Sequence, residues 1–319
     1  MGDALVGHTG FVGGILARQH AFAALFNSRT IDAAAGQGFG TLVCAAAPGS
    51  MFEANRFPER DTARIEALMA QLGRLRAERF VLISSIAVLA DFAGGDDEGS
   101  DRLQYELAYG RNRARLEAFC AEAFPGALVL RLPALFGPGL KKNFLFDILN
   151  PMPSLLTAER LEALRAALPA PLARGLAGIY AEDPATGLFA IDRAALEAGG
   201  RRRDYDAAVA AAGLSALGFT HPDSRFQYYD MSGLWADIGR GLAAGLGLLH
   251  LATEPVAAGE IHRRLTGRAM PAGQARLHRE DMHTRHAALW GRQGPYIADA
   301  AEVLDGIAAF FARQARVAA

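Results

Sequence analysis

Two serines stand side by side at Ser84-Ser85, and a tyrosine later opens the run Tyr109-Gly110-Arg111-Asn112-Arg113. On a helix, residues four apart share a face, so the Arg113 guanidinium can approach the Tyr109 phenol. A phenol beside a cation, with a serine hydroxyl to share its target, suits proton transfer at a carbonyl or alcohol oxygen. A second pattern lies at the start of the chain, Gly7-His8-Thr9-Gly10-Phe11-Val12-Gly13. Gly7 would turn the chain sharply, Gly10 would let backbone approach a pyrophosphate, and Gly13 would let a helix pack closely on a strand. The phosphates would then meet unpaired N–H groups at the helix start.

These groups need a scaffold, and the first 135 or so residues supply one. Strand-like runs near Ala4–Gly7, Phe22–Phe26, Thr41–Ala45, Phe80–Ser84 and Ala127–Leu132 alternate with helical spacing in Ile65, Leu68, Met69, Leu72, Leu75 and in Leu116, Phe119, Cys120. That alternation predicts a Rossmann-type, doubly wound parallel α/β sheet. Too few residues separate the second strand from Thr41 for a further strand and crossover, so the sheet is expected to be trimmed at that edge. Beyond Gly137 helical segments such as Glu159–Leu168 and Tyr205–Ala216 predominate, predicting a smaller, mainly helical substrate region. Phe226–Tyr229, a helix over Leu234–Ala244 and Leu248–Ala252 read as a return to the sheet. The expected domains are therefore interleaved: 1–138 with about 225–253 for dinucleotide binding, and about 139–224 with 254–319 for substrate.

The second strand ends in Asn27-Ser28-Arg29, where an acidic residue would bind an adenosine ribose 2′-hydroxyl. Asn27 and Ser28 can donate hydrogen bonds and Arg29 can pair with a 2′-phosphate, which favours NADP(H), with NAD(H) the second choice.

Together these features resemble the extended short-chain dehydrogenase/reductase family, which includes nucleotide-sugar epimerases and reductases. The resemblance runs through Gly7–Gly13, Cys44-Ala45-Ala46-Ala47, Ser85, Tyr109-Gly110 and Arg131-Leu132-Pro133-Ala134-Leu135-Phe136-Gly137-Pro138-Gly139. It continues in Arg225–Asp230 and Leu251–Val256. It implies that Tyr109 is the general acid/base and that Ser85 bonds the same substrate oxygen, with Ser84 the alternative for that bond and otherwise a substrate contact. Arg113 then stands where the family has a lysine. It further implies cofactor contacts from Gly7, Gly10, Phe11, Val12, Gly13, Cys44, Ala45, Ala46 and Pro133, besides Tyr109 and Arg113. Lys142, Asn143 and Arg225 fall where a substrate diphosphate is held, and a homodimer through the helices after Asp61 and Tyr109 is expected. Arginine keeps the lysine's charge but cannot surrender a proton to a relay. Family dehydratases carry an Asp-Glu pair where this chain has Ile86-Ala87, so reduction, oxidation or epimerisation is expected instead.

Composition bounds the alternatives. A formal charge of -1 argues against nucleic acid as a partner. Cys44 and Cys120 are too few for a disulfide framework, and a reducing, cytoplasmic setting fits. Neither a signal peptide nor a membrane span is indicated. His278, His283 and His286 lack a second ligand pair, so no metal is expected. The loop Gly94–Ser100 and the run Arg201-Arg202-Arg203 read as solvated surface. A second reading stays open beside the enzyme: a dinucleotide-binding sensor or scaffold whose chemistry was lost with the lysine.

Overall fold

The computed structural model describes residues 1–184, 186–273 and 275–317. The chain forms two compact units. The first holds Met1–Leu140, Arg225–Val256 and the residues from Arg279 onward, and the second holds Lys141–Ser224 with Ala257–His278.

The first unit is built on strands β1 (Ala4–Val6), β2 (Ala24–Phe26), β3 (Gly38–Cys44), β4 (Arg76–Ser85), β5 (Leu128–Leu132), β6 (Ala134–Phe136), β7 (Tyr228–Asp230) and β8 (Leu248–His250). Six of them form one parallel sheet in the order β8-β5-β4-β3-β1-β2. Helices α1 (Phe11–Gln19) and α5 (Leu234–Ala243) cover one face, and α3 (Pro58–Leu72) with α4 (Ala108–Ala123) covers the other; α2 (Met51–Arg56) precedes α3, and α6 (Ala300–Val317) closes the unit.

Strand alternation divides the core between the faces. Leu42 and Cys44 of β3 point to Ile65, Leu72, Leu116 and Cys120, while Val43 between them joins Ile15, Leu16, Leu234 and Ile238. Burial on both sides explains why β3 and β5 are mostly apolar, with Thr41 and Arg131 as their buried polar members. From β1 the chain turns to β2 on one side and then crosses to β3 on the other, which makes the carboxyl ends of β1 and β3 a topological switch point. As expected, the edge is trimmed: β2 is the last strand, and only a short 3-10 turn, Ile31–Ala34, precedes β3.

Four expectations are corrected. Of the two segments read as returning to the sheet, Leu248–His250 does so, but Tyr228–Asp230 pairs with Ala134–Phe136 in a separate two-stranded ribbon. The residues from Arg279 onward, expected with the substrate region, belong to the first unit, where Phe310 packs on Phe136 with ring centroids 5.9 Å apart. The loop at Gly94–Ser100 is not simply solvated. Glu98 accepts from the backbone N–H of His250 and Arg285 and from the Thr284 hydroxyl, and Asp96 is buried beside Arg102. Arg202 likewise is structural, donating to the Leu149 carbonyl at 2.8 Å within the second unit.

The second unit is mainly helical, as expected, with helices that include Ala158–Ala167, Arg202–Ala211 and Ala258–Thr266, and it adds one small sheet. Leu155–Leu156, Tyr180–Asp183 and Leu188–Ile191 form an antiparallel sheet around a core that includes Leu164, Leu176, Leu196 and Val209. The predicted helix Tyr205–Ala216 spans Arg202–Ala211 and stops before Gly213, whose φ of 68° marks the turn. No helix among the described residues is long and apolar enough to cross a membrane.

Candidate active site

The glycine turn joins β1 to α1 in the manner its spacing requires. Gly7 has φ 96°, and a Cβ there would lie 2.5 Å from the Ala45 carbonyl oxygen, so the β3 end is pressed against the turn. Gly10 donates to the Gly7 carbonyl at 3.0 Å and is the N-cap of α1 without a side-chain cap. A Cβ on Gly13 would stand 2.2 Å from the Gly7 oxygen, so only glycine permits this approach. The half-buried Phe11 and Val12 complete the first turn, whose N–H groups are the anion-binding end of the helix.

Ala45 and Ala46 continue β3 as a half-buried wall beside Gly7. Cys44 does not line that wall. Its side chain is fully buried among Ile65, Leu82 and Leu116, and burial pushes its thiol up to about 11. Beyond β2, the Asn27 carboxamide oxygen accepts from the Arg29 backbone N–H at 2.9 Å, folding the segment into a local turn. Ser28 and Arg29 are exposed at its tip. His8 lies between the two features, its Nδ1 2.9 Å from the Phe26 carbonyl oxygen.

Ser85 ends β4, and its hydroxyl oxygen accepts from Ala87 N–H at 3.2 Å. Tyr109 is in the first turn of α4, where its backbone N–H donates to Asn55 Oδ1 at 2.9 Å. Gly110 brings the two elements together, since a Cβ there would be 2.0 Å from the Ala87 carbonyl oxygen. The helix start bearing Tyr109 thus rests on the turn that follows Ser85, and both side chains are half-buried. Ser84 faces elsewhere. It is buried and donates to Glu117 Oε1 at 2.5 Å, which removes it from a substrate-facing role because adjacent strand residues point to opposite faces.

Arg113 is 2% exposed, and its Nη1 is 2.6 Å from Asp61 Oδ2 in a buried ion pair. Nη1 also donates to the Tyr109 carbonyl at 3.1 Å and Nη2 to the Pro48 carbonyl at 2.5 Å. The guanidinium carbon stands 3.9 Å from the Tyr109 ring centroid. Its Nε is buried with no hydrogen-bond acceptor among the described residues. Arg113 is therefore stacked on the phenol ring and anchored in protein, unlike a free-reaching lysine.

The remaining expected residues divide between the units. Pro133 is buried where β5 passes into β6, and the exposed Arg225 donates to the Pro255 carbonyl at 2.9 Å, both in the first unit. Lys142 and Asn143 belong to the second unit. Lys142 is exposed, whereas the Asn143 carboxamide oxygen caps the helix Phe144–Leu149 by accepting from Leu145 and Phe146 N–H.

Sequence reasoning missed a buried polar network beneath the serines. Glu117 on α4 pairs with Arg131 on β5 at 2.6 Å, and Arg131 Nη1 is 3.3 Å from His250 Nε2 on β8. Burial, with the Arg131 charge beside it, holds the His250 imidazole below its usual value against the pull of Glu98. Asp61 was missed for a different reason: an acidic residue in the first turns of a helix reads as ordinary complement to the helix dipole.

No family model and no curated protein matches the chain. Solved structures do. A dTDP-4-dehydrorhamnose reductase from Bacillus anthracis, in complex with NADP, is 13% identical and superposes with a TM-score of 0.61, covering 98% of this chain and 97% of that one. RMD from Pseudomonas aeruginosa complexed with NADPH is 16% identical with a TM-score of 0.55, over 98% and 99% of the two chains. A UDP-glucose 4-epimerase from Thermotoga maritima with UDP-glucose is 10% identical with a TM-score of 0.57, again over 98% and 99%. The chain has the Rossmann-type fold of these reductases and epimerases over nearly its whole length.

Proposed function

We propose that this chain is an NADP(H)-dependent oxidoreductase or epimerase acting on a carbonyl or alcohol group of a nucleotide-sugar-like substrate, with NAD(H) the second choice. The observation that carries the proposal is the contact of Gly110 with the Ala87 carbonyl, which gathers Ser85 and Tyr109 at the carboxyl end of β4, two strands from the glycine turn. A dinucleotide fits the residues present. The cradle of Gly7, Gly10 and Gly13 excludes side chains where a pyrophosphate needs backbone, and the orphaned Nε of Arg113 is a donor that a ribose hydroxyl can satisfy. The solved structures of similar fold include complexes with NADP, with NADPH and with UDP-glucose.

Bound NADP(H) supplies or accepts the hydride. Tyr109 gives a proton to the substrate oxygen in reduction and takes it in oxidation, while Ser85 donates a hydrogen bond to that oxygen. Ala45, Ala46, Phe11, Val12 and Pro133 line the cofactor path, Arg29 with Ser28 takes the 2′-phosphate, and Arg225 attracts the substrate diphosphate. Dehydration is disfavoured because Ile86 and Ala87, buried at 6% and 3% exposure, put no carboxyl group beside the site. We further infer a homodimer through α3 and α4, measurable by light scattering.

One observation favours a second reading, a dinucleotide sensor or scaffold: the Arg113 guanidinium is committed to Asp61 and Pro48. Turnover decides between them. Under the enzyme reading, NADPH is oxidised by at least one member of a panel of keto-sugar nucleotides, and Tyr109→Phe lowers kcat by about a hundredfold or more. Tight NADPH binding with no hydride transfer to any member supports the sensor instead.

A further inference from the structure

A buried guanidinium is retained only where its charge is matched, and in this chain the match is made by Asp61. Asp61 is 4% exposed, and its Oδ2 accepts from Arg113 Nη1 at 2.6 Å and from Asn112 Nδ2 at 2.8 Å. The Tyr109 and Pro48 carbonyls accept from Nη1 and Nη2, so three bonds fix the orientation of the guanidinium. What it faces is the Tyr109 ring, 3.9 Å from its centroid. Negative charge on a phenolate spreads into the ring, and a desolvated cation over the ring face attracts it strongly.

We propose that Asp61 is a positioning residue that, with the Pro48 carbonyl, holds the Arg113 guanidinium against the face of Tyr109, so that Arg113 favours the phenolate through the ring. This rests on the reading of Tyr109 as the acid/base, and it gives Arg113 a different way of working from a lysine that reaches outward. The ion pair joins α3 to α4, so a purely structural role is the alternative that the test must separate.

The decisive variant replaces both partners by apolar residues, Asp61→Leu with Arg113→Met, because removing a buried pair together spares the fold while removing one partner strands a charge. Tetranitromethane nitrates phenolates, and mass spectrometry compares Tyr109 with Tyr105, which is 70% exposed and serves as the internal reference. At fixed pH the ratio of Tyr109 to Tyr105 nitration falls about tenfold or more in the double variant, with thermal unfolding still cooperative. A ratio within about twofold of the wild type overturns the proposal. Asp61→Leu alone gives the same fall, because the Arg113 guanidinium loses the anchor that holds it on the ring face; a wild-type ratio in that variant, beside a loss in Arg113→Met, overturns the assignment of Asp61. In the turnover assay the double variant loses kcat about tenfold or more and keeps its KM for NADPH within about threefold. If the wild type turns over no keto-sugar nucleotide, the proposed reaction fails while the nitration ratio still decides the role of Asp61.

Discussion

Adding one methyl group at Gly13 separates the glycine turn from every ordinary feature of α1. The new Cβ would lie 2.2 Å from the Gly7 carbonyl oxygen, 2.7 Å from its carbon and 3.0 Å from His8 Cα, all backbone atoms that cannot rotate away. An ordinary contact needs about 3.4 Å, so the first turn of α1 must retreat by roughly 1 Å from the β1 turn, an overpacking cost of about 1–3 kcal/mol. The same retreat moves the N–H groups proposed to meet the pyrophosphate, and a displacement of about 1 Å weakens such a contact set roughly a hundredfold. Gly14 is the internal control. Its added Cβ would meet the His8 carbonyl oxygen at 3.4 Å, an ordinary contact, and replacing an interior helical glycine by alanine stabilises by about 0.5–1 kcal/mol. NADPH affinity by fluorescence titration and thermal unfolding of Gly13→Ala and Gly14→Ala give both numbers. Wild-type NADPH affinity in Gly13→Ala would refute the cradle, whatever Gly14→Ala does.

Three further outcomes follow from named contacts. Ser85→Ala lowers kcat by about tenfold or more with little change in unfolding, whereas Ser84→Ala leaves Glu117 short of a donor and lowers stability by about 1–2 kcal/mol; the opposite pattern would move the catalytic hydroxyl to Ser84. Arg29→Ala weakens NADPH binding by about tenfold or more and leaves NADH binding unchanged in parallel titrations, and equal losses for both cofactors would remove Arg29 from the 2′-phosphate. In the second unit, burial raises the Asp147 carboxyl to about 7 against the pull of Arg193. Because the folded value exceeds the unfolded one, its contribution is fully present below about pH 4, is lost as the pH rises towards 7, and leaves a penalty of at most about 4 kcal/mol above that. Asp147→Asn therefore stabilises the protein at pH 8 and not at pH 4, as chemical denaturation at the two values will show; an equal effect at both would refute the linkage.

Much of the fold was legible because it rests on periodicity. The Rossmann sheet, its trimmed edge and the two covering layers follow from apolar runs and helical spacing that tertiary contacts reinforce. The ribbon of Tyr228–Asp230 with Ala134–Phe136 was not legible, since a short apolar run does not reveal which neighbour it will pair with. Nor was the placement of the chain from Arg279 onward. Its anchors are Gln227, buried and bonded to the Thr253 and Met282 carbonyls, and the Glu98 carboxylate, and neither carries a periodic signal. In the site, glycines were readable because each has a local backbone task. Side chains whose role is set by a distant partner were not: Cys44, Ser84 and Asn143 carry polar atoms that the fold turns inward or spends on a helix cap.

The same logic explains α4. Tyr109, Arg113 and Glu117 recur every fourth residue, and an inward stripe on a sheet-covering helix should be apolar. Two charges on that stripe are tolerable only because each meets an opposite charge from a different element, Asp61 of α3 for Arg113 and Arg131 of β5 for Glu117, at 2.6 Å in both cases. Isolated, either charge would destabilise the fold by several kcal/mol, so the pairs are mutually obligatory. Their combined effect is directional. One pair ties α4 to the neighbouring helix and the other ties it to the sheet beneath, while Glu117 also takes the hydroxyl of Ser84 beside Ser85. The helix that bears the proposed acid/base is thereby fixed to α3 through Arg113 and to β4 and β5 through Glu117.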